Sequence, residues 1–388
     1  SSAASDVYKR QLLMQMTVFA KQTICLNMIV KDEEGYIEKC LESAIPFIDY
    51  WVIVDTGSTD NTKFLIKEIL SDIPGELHER EWKNFGHNRN EALDLARDKC
   101  DYILFMDGDD WLDYEKGFRL PELVQDSYYF LAGSDNFSFL RTHLVKSSLA
   151  WKWIGVLHEY ISLEGRYTYG TIENLYYRLG WKADEEDKFI DRIDILLEAL
   201  EEEPNNARYI FYLAESYRDA GDPIHALEWY QKRVDIGGWK EEIFWSLLQI
   251  AKMHKLLGHD EDHIINSFNK AFRFASHRSE PIYYLAEYYN DIGRYDFAYS
   301  TLQLRKYHKF SLSRDLLFYE KWIDDWGLAY QQLRAAFYLG RFTEVIMLAD
   351  YINQSTAIVG IKNDTNRYHH LALRALHYQA LPIAEILH

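Results

Sequence analysis

The rhythm of apolar and polar positions along this chain changes once, near Asp184. Before that point, short apolar runs alternate with stretches of helical spacing. Residues 23–30 (TICLNMIV) form a continuous apolar run, as expected of a strand buried on both faces. Residues 34–45 put Ile37, Leu41 and Ile45 on one helical face. Residues 50–55 (YWVIVD) read as a second strand. It runs into the turn TGSTDNT, whose Ser, Thr, Asp and Asn suit a helix N-cap, and a helix follows over 61–71. A short strand at 77–82, a helix at 88–99 and a buried strand at 101–106 (DYILFM) continue the alternation, with later strands at 136–146 and 151–163. Such a series predicts a mostly parallel, Rossmann-like sheet with right-handed crossovers. Ligands of these sheets bind beyond the carboxyl ends of the strands, where the polar clusters Asp55–Asn61 and Asp107–Asp110 fall.

After Asp184 only helical spacing remains. The run DEEDKFIDRIDILLEALEEEP carries Phe189, Ile193, Leu196, Leu197 and Leu200 on one stripe and stops at Pro204. Self-similarity follows. FYLAESYRDAGDPIHALEWY (211–230) and YYLAEYYNDIGRYDFAYSTL (283–302) share Leu-Ala, a Tyr three residues on, a Gly four further and a later Ala. LLQIAKMHKLLG (247–258) keeps the Ala and the Gly. Ala214, Ala251 and Ala286 are thus spaced 37 and 35 apart, close to the period of about 34 of tetratricopeptide helix–turn–helix arrays. A weaker unit surrounds Leu333 to Ala349, with Gly340 at its turn. The predicted fold is an α/β domain followed by an all-α, tetratricopeptide-like repeat domain. The expected division is a leader at 1–15, the α/β domain at 16–183 and the helical domain at 184–388.

Composition narrows the partners. With 388 residues, 48% of them hydrophobic and 27% charged, the chain is globular and long enough for two cores. The net charge of −18 repels phosphate backbones, so no nucleic-acid partner is expected; a phosphate ligand would need local Arg, Lys or divalent metal. No apolar run reaches the roughly 20 residues of a membrane span. Cys25, Cys40 and Cys100 are scattered, without a Cys-x-x-Cys, which suits a reducing cytoplasm.

Four places can carry chemistry. Asp107-Gly108-Asp109-Asp110 follows an apolar strand directly. Its clustered carboxylates repel one another unless something cationic binds, and they are hard oxygen ligands for Mg²⁺ or Mn²⁺ that also holds substrate phosphates. The plainer alternative is an acidic turn with Asp110 capping a helix. Asp55, at a strand end, can accept from a ribose hydroxyl or a base N–H, or simply shape a turn. Arg89, in Gly86-His87-Asn88-Arg89-Asn90, can brace a phosphate or the base, or be an ordinary surface Arg. His158-Glu159 offers a candidate metal ligand in His158 and a candidate general base in Glu159, against a strand pair with one residue in and one out.

ICLNMIVKDE, WVIVDTGSTDNT, GHNRNEAL and DYILFMDGDD, in that order over residues 22–165, resemble the donor-binding half of family-two inverting glycosyltransferases of the GT-A fold. With WKWIGVLHEY and FYLAESYRDAGD the chain is similar to bacterial and viral members that carry tetratricopeptide-like repeats; a peptide cysteine S-glycosyltransferase is a more distant relative. The resemblance implies a nucleotide-sugar donor, by family default a UDP-sugar, and a divalent metal, Mn²⁺ or Mg²⁺. It implies that Asp55 contacts the nucleoside, Asn27 lines the nucleotide pocket at the end of the first strand, and Arg89 supports the nucleotide. Asp107, Gly108 and Asp109 match the family's Asp-x-Asp, with Asp109 holding the metal, and Glu159 stands where the family keeps its acceptor-side base. Thr56 replaces a second acid common in the family, and His158-Glu159 replaces its Glu-Asp pair. Trp111, Trp151 and Trp153 are candidates to stack on a sugar, with core packing the default for any one of them.

The acceptor is expected to be a glycan, lipid or polypeptide. The helical domain would hold it, shape its cleft or form a homodimer. Two rival readings remain: a tetratricopeptide scaffold with an inactive nucleotide-binding domain, and a nucleotidyltransferase. The second would want a Gly-rich basic loop after the first strand, and ICLNMIVKDEE is not one.

Overall fold

The computed structural model describes residues 22–133, 138–180, 187–306 and 317–380; the expected leader at 1–15 lies outside the described residues. Contacts divide the chain into two compact units, one of Ser1–Gly133 with Leu140–Ala183 and the other of Ser134–Phe139 with Asp184–His388. No helix among the described residues is long and apolar enough to cross a membrane.

In the first unit, β1 (Ile24–Val30), β2 (Tyr50–Asp55), β3 (Gly75–Glu79) and β4 (Tyr102–Phe105) lie parallel in the order β3-β2-β1-β4. They are linked through α1 (Ile37–Ala44), α2 (Thr62–Ile69) and α3 (Phe85–Ala96). Every residue of β1 and of β4 is buried, which is why both read as unbroken apolar runs. The sheet continues as β7-β6-β10-β5, with β5 (Trp111–Tyr114), β6 (Ser127–Gly133), β7 (Ser138–Lys146) and β10 (Tyr169–Arg178). β7 is antiparallel to β4, β10 is parallel to β6, and β5 is antiparallel to β10.

The expected single strand at 151–163 is instead two short antiparallel strands, β8 (Lys152–Ile154) and β9 (Tyr160–Ser162). The turn between them passes through Gly155 at φ 111° and His158 at φ 51°, left-handed backbone that no continuous strand accommodates. That turn meets the start of α3. The Phe85 N–H donates to the Val156 carbonyl, Asn90 donates to Trp153 O and accepts from Trp153 N, and a Cβ on Gly86 would stand 2.0 Å from Gly155 O. Gly86 is therefore required by a close backbone approach.

The second unit begins with α4 (Asp187–Glu202). Helical hairpins follow: α5 (Ala207–Asp219) with α6 (Pro223–Ile236), α7 (Lys240–Leu256) with α8 (Glu261–Phe274), α9 (Glu280–Asp291) with α10 (Tyr295–Gln303), and α11 (Leu328–Tyr338) with α12 (Phe342–Ser355). α13 (Val359–Ala380) closes the series. Each hairpin turns on a glycine, Gly221, Gly258, Gly293 or Gly340, at φ 76°, 68°, 77° and 70°. A residue with a Cβ is strained in that conformation, so the Gly of the repeat signature is a helix-terminating position. The signature alanines Ala214, Ala251 and Ala286 are fully buried where paired helices approach. Ala214 packs with Ala226, Tyr230, Ile250 and Met253. Ala214→Trp should therefore overpack this contact and cost about 1–3 kcal/mol or more. Melting at the parent temperature would show that Ala214 is not at a helix–helix contact.

Candidate functional site

The site forms at the carboxyl ends of β1, β2 and β4. After β1, residues Asp32–Glu34 are laced to the turn after β2. Asp32 Oδ1 accepts the Thr59 N–H at 2.8 Å, Ser58 Oγ accepts the Asp32 N–H at 2.9 Å, Thr62 Oγ1 accepts the Glu33 N–H at 2.7 Å, and Glu34 Oε2 accepts the Asn61 N–H at 2.9 Å. The Ser, Thr and Asn of TGSTDNT thus join two loops; Asn61, at the N-cap of α2, makes no capping bond.

Asp55 is 1% exposed at the last position of β2. Its Oδ1 accepts from Gly57 N and Ser58 N, while its Oδ2 is buried with no hydrogen-bond partner. A buried acceptor left without a donor costs about 1–3 kcal/mol, which suits an oxygen meant for a ligand N–H or O–H. Asn27 does not lie at the strand's end. It sits in the middle of β1, 3% exposed, and donates both amide hydrogens inside the fold, to Val52 O at 3.2 Å and Ala92 O at 2.8 Å. Its placement ties α3 to the sheet.

The acidic loop between β4 and β5 is held from several sides. The Tyr177 hydroxyl of β10 accepts the Asp107 N–H at 2.9 Å and donates to the Asp110 carboxylate. The Cys40 thiol of α1 donates to the Asp107 carbonyl at 3.2 Å. Asp110 caps no helix, since β5 follows it; its Oδ1 accepts the Gly180 N–H at 2.7 Å. A Cβ on Gly180 would stand 1.8 Å from Asp109 O, so glycine is required there, while one on Gly108 would stand 2.7 Å from Glu33 Cγ and push that side chain aside. Burial, reinforced by Asp107, pushes the Asp110 carboxyl up to about 7.

Arg89 is the hub. Docking of α3 on the β8–β9 turn brings it, 8% exposed, between Asp107 and Glu159: Nη2 donates to Asp107 Oδ1 and Nε donates to Glu159 Oε1 at 2.5 Å. Its guanidinium lies 5.0 Å from the Trp153 ring. Burial alone would raise the Asp107 carboxyl, but Arg89 and then Arg141 overcome it and hold it well below the usual carboxylate range. Arg141 and His143 on β7 and Tyr177 on β10 pack with Arg89, Asp107 and Trp153 into one tight cluster with no room for a water molecule between them. His143, stacked 3.6 Å from Tyr177, is pushed down to about 3 by burial and by Arg141, so its ring is neutral.

Asp55, Asp107, Gly108, Asp109 and Glu159 are thus placed on the loops and strand ends, and Arg89 on α3, of one unit. Among the described residues no group of three or more His, Cys, Asp or Glu side chains is arranged to hold a metal ion. The expected trio of Asp107, Asp109 and His158 is therefore not assembled as a three-ligand set, and His158 is exposed on its turn. Of the expected set, the Asp107 carboxylate lies between Arg89 and Arg141. Trp151 and Trp153 are core residues at 1% and 4% exposure, and half-buried Trp111 has the Lys39 ammonium 3.1 Å from its ring centroid. Arg141, Tyr177 and Gly180 escaped the sequence reading because no local motif surrounds them; only strand pairing delivers them to the acidic loop.

A mostly parallel sheet with a buried, unpartnered carboxylate oxygen and an acidic loop at one end makes a GT-A-like α/β domain. Residues 25–162 match the family model described as Glycosyl transferase family 2, and the chain carries a domain of that family followed by a tetratricopeptide-like helical part. It is 24% identical over 229 residues to the SPbeta prophage-derived glycosyltransferase SunS of Bacillus subtilis (strain 168), covering 55% of this chain and 53% of that protein. The chain thus spans about half the length of that curated relative. Among solved structures, S. aureus TarS 1–349 in complex with UDP aligns at 16% identity and TM-score 0.32, over 64% of this chain and 90% of that one. A tetratricopeptide repeat protein from Parabacteroides merdae ATCC 43184 aligns at 15% identity and TM-score 0.36, over 50% of this chain and 73% of that one.

Proposed function

We propose that this chain is an inverting glycosyltransferase that moves a sugar from a nucleotide-sugar donor, UDP-linked, to a glycan, lipid or polypeptide acceptor in the cytoplasm. The observation that carries the reading is the unmatched, buried Asp55 Oδ2 at the sheet end that also bears the Asp107–Asp110 loop. Asp55 would accept from the nucleoside, and Asp109 with Asp107 would hold a Mn²⁺ or Mg²⁺ ion. Such an ion stabilises the negative charge that develops on a departing diphosphate. Arg89 fixes the orientation of Asp107 and of Glu159 at once. Glu159 would take the proton of the acceptor hydroxyl or thiol. The new bond to the anomeric carbon forms as the bond to the diphosphate oxygen breaks and that oxygen keeps the electron pair. Asp110 is the second carboxylate for the base role; its pKa suits proton transfer near neutrality, while its ties to Gly180 and Tyr177 favour a supporting part. We place the catalytic domain at 16–183 and assign 184–388 to acceptor binding or homodimer formation.

The test is release of UDP from a panel of UDP-sugars by the purified protein with Mn²⁺. Asp109→Asn should abolish metal-dependent UDP binding with the fold intact, because a neutral amide does not replace a charged oxygen ligand. Unchanged affinity by calorimetry in Mn²⁺ would sink the assignment. A scaffold with a silent nucleotide-binding unit is favoured only by the engagement of both Asp107 and Glu159 by Arg89. That reading predicts UDP binding without turnover.

A further inference from the structure

We infer that Arg141 is a second cation of the donor site, reserved for the diphosphate; this rests on the donor-binding reading above. β7 carries Arg141 to the acidic loop, where its Nη1 lies 3.6 Å from Asp107 Oδ2. That separation is an ion-pair distance and too long for a hydrogen bond. The side chain is only 30% exposed, and among the described residues it makes no hydrogen bond at all. A guanidinium presents five N–H donors in a fixed fork, and at 30% exposure those of Arg141 stay open to water or to a ligand.

The deeply buried arginines are treated differently. Arg89 donates to Asp107 and Glu159, Arg233 donates to Glu242 and to Gly237 O, and Arg278 donates to Glu241 and Glu280. Neutralising Asp107 is not reason enough for Arg141, since Arg89 already does so at close contact. The unused fork is thus shaped for a group the chain does not supply. A planar fork matches two oxygens of a phosphate, and in a chain of net charge −18 a diphosphate needs such local positive charge. His143, the neighbouring candidate cation, is neutral and does not serve.

Calorimetry in Mn²⁺ with uridine, UMP and UDP as probes tests this on the wild type, Arg141→Ala and Arg141→Lys. Arg141→Ala should weaken UDP about 10–100-fold while leaving uridine unchanged, with Arg141→Lys in between because it keeps the charge and loses the fork. UDP affinity equal to wild type would overturn the inference, and so would an equal fall for uridine and UDP. Should Arg141→Ala fail to fold, Arg141→Gln and Arg141→Lys carry the test on the same UDP-to-uridine ratio. If the wild type binds none of UDP, GDP, ADP and dTDP, the donor-binding reading itself fails and takes the inference with it.

Discussion

Arg89→Met is expected to lose at least ~10²-fold in sugar transfer and about 3 kcal/mol in stability of the first unit, because one guanidinium serves two carboxylates. Arg89 and Glu159 side chains are 8% and 6% exposed, so removing the cation strands a buried acid. Asp107, 27% exposed and still near Arg141, suffers less. The double variant Arg89→Met with Glu159→Gln should recover part of the stability and none of the activity, since the neutral amide tolerates burial while both site groups are gone. Glu159→Gln alone should keep UDP binding and cut turnover about 10²–10⁴-fold if Glu159 is the base. The acid limb checks the same pair. A carboxyl held low in the folded protein contributes stability that is present above its unfolded pKa, near 4, and is lost as pH falls through the folded value. Asp107 is so held, first of all among charges by Arg89. Wild type should therefore lose stability progressively below about pH 4, and Arg89→Met should lose less over that range. A urea midpoint for Arg89→Met equal to wild type would show that the pairing is not what organises the site.

Arg278→Met should destabilise the second unit by about 3–5 kcal/mol. Arg278 is fully enclosed, with Nη2 2.7 Å from Glu280 Oε1, itself 0% exposed, and Nη1 2.7 Å from Glu241 Oε2. It also reaches the carbonyls of Leu317 and Phe318 at 3.4 and 3.5 Å and lies 4.4 Å from the Phe244 ring. Deleting one member of such a set leaves an uncompensated buried carboxylate, whereas replacing Glu280 by Gln at the same time removes the stranded charge. The double variant should thus be more stable than Arg278→Met. Lysine should not rescue, since a single ammonium does not reproduce the fork that reaches two carboxylates. A denaturant midpoint within experimental error of wild type for Arg278→Met would contradict this account.

The sequence by itself determined the elements whose signal is local. Buried parallel strands show as apolar runs because both faces are covered, so TICLNMIV, YWVIVD and DYILFM marked β1, β2 and β4. The hairpins of the second unit were legible because each needs an alanine at the close contact and a glycine at the left-handed turn, and both recur at a fixed spacing. The positions of Asp55 and the Asp107–Asp110 loop were legible for a related reason: each polar cluster marks where an apolar strand leaves the core.

Tertiary structure decided the rest. β5, β6 and β10 carry mixed faces and no clean period, and the 151–163 segment became a hairpin through backbone at Gly155 and His158 that side-chain pattern does not encode. Asn27 looked like a pocket residue from its place near a strand end, yet two backbone carbonyls from β2 and α3 claim its amide. Arg89, Asp107 and Glu159 are 18 and 52 residues apart in turn, and what joins them is the close approach of Gly86 to Gly155. Arg141 and Tyr177 reach the acidic loop only because β7 and β10 enter the same sheet. Local pattern fixes which residues are apolar, capped or turned. Which charged groups share a partner depends on non-local pairing, because electrostatic and hydrogen-bond partners are set by distances that no sequence spacing records.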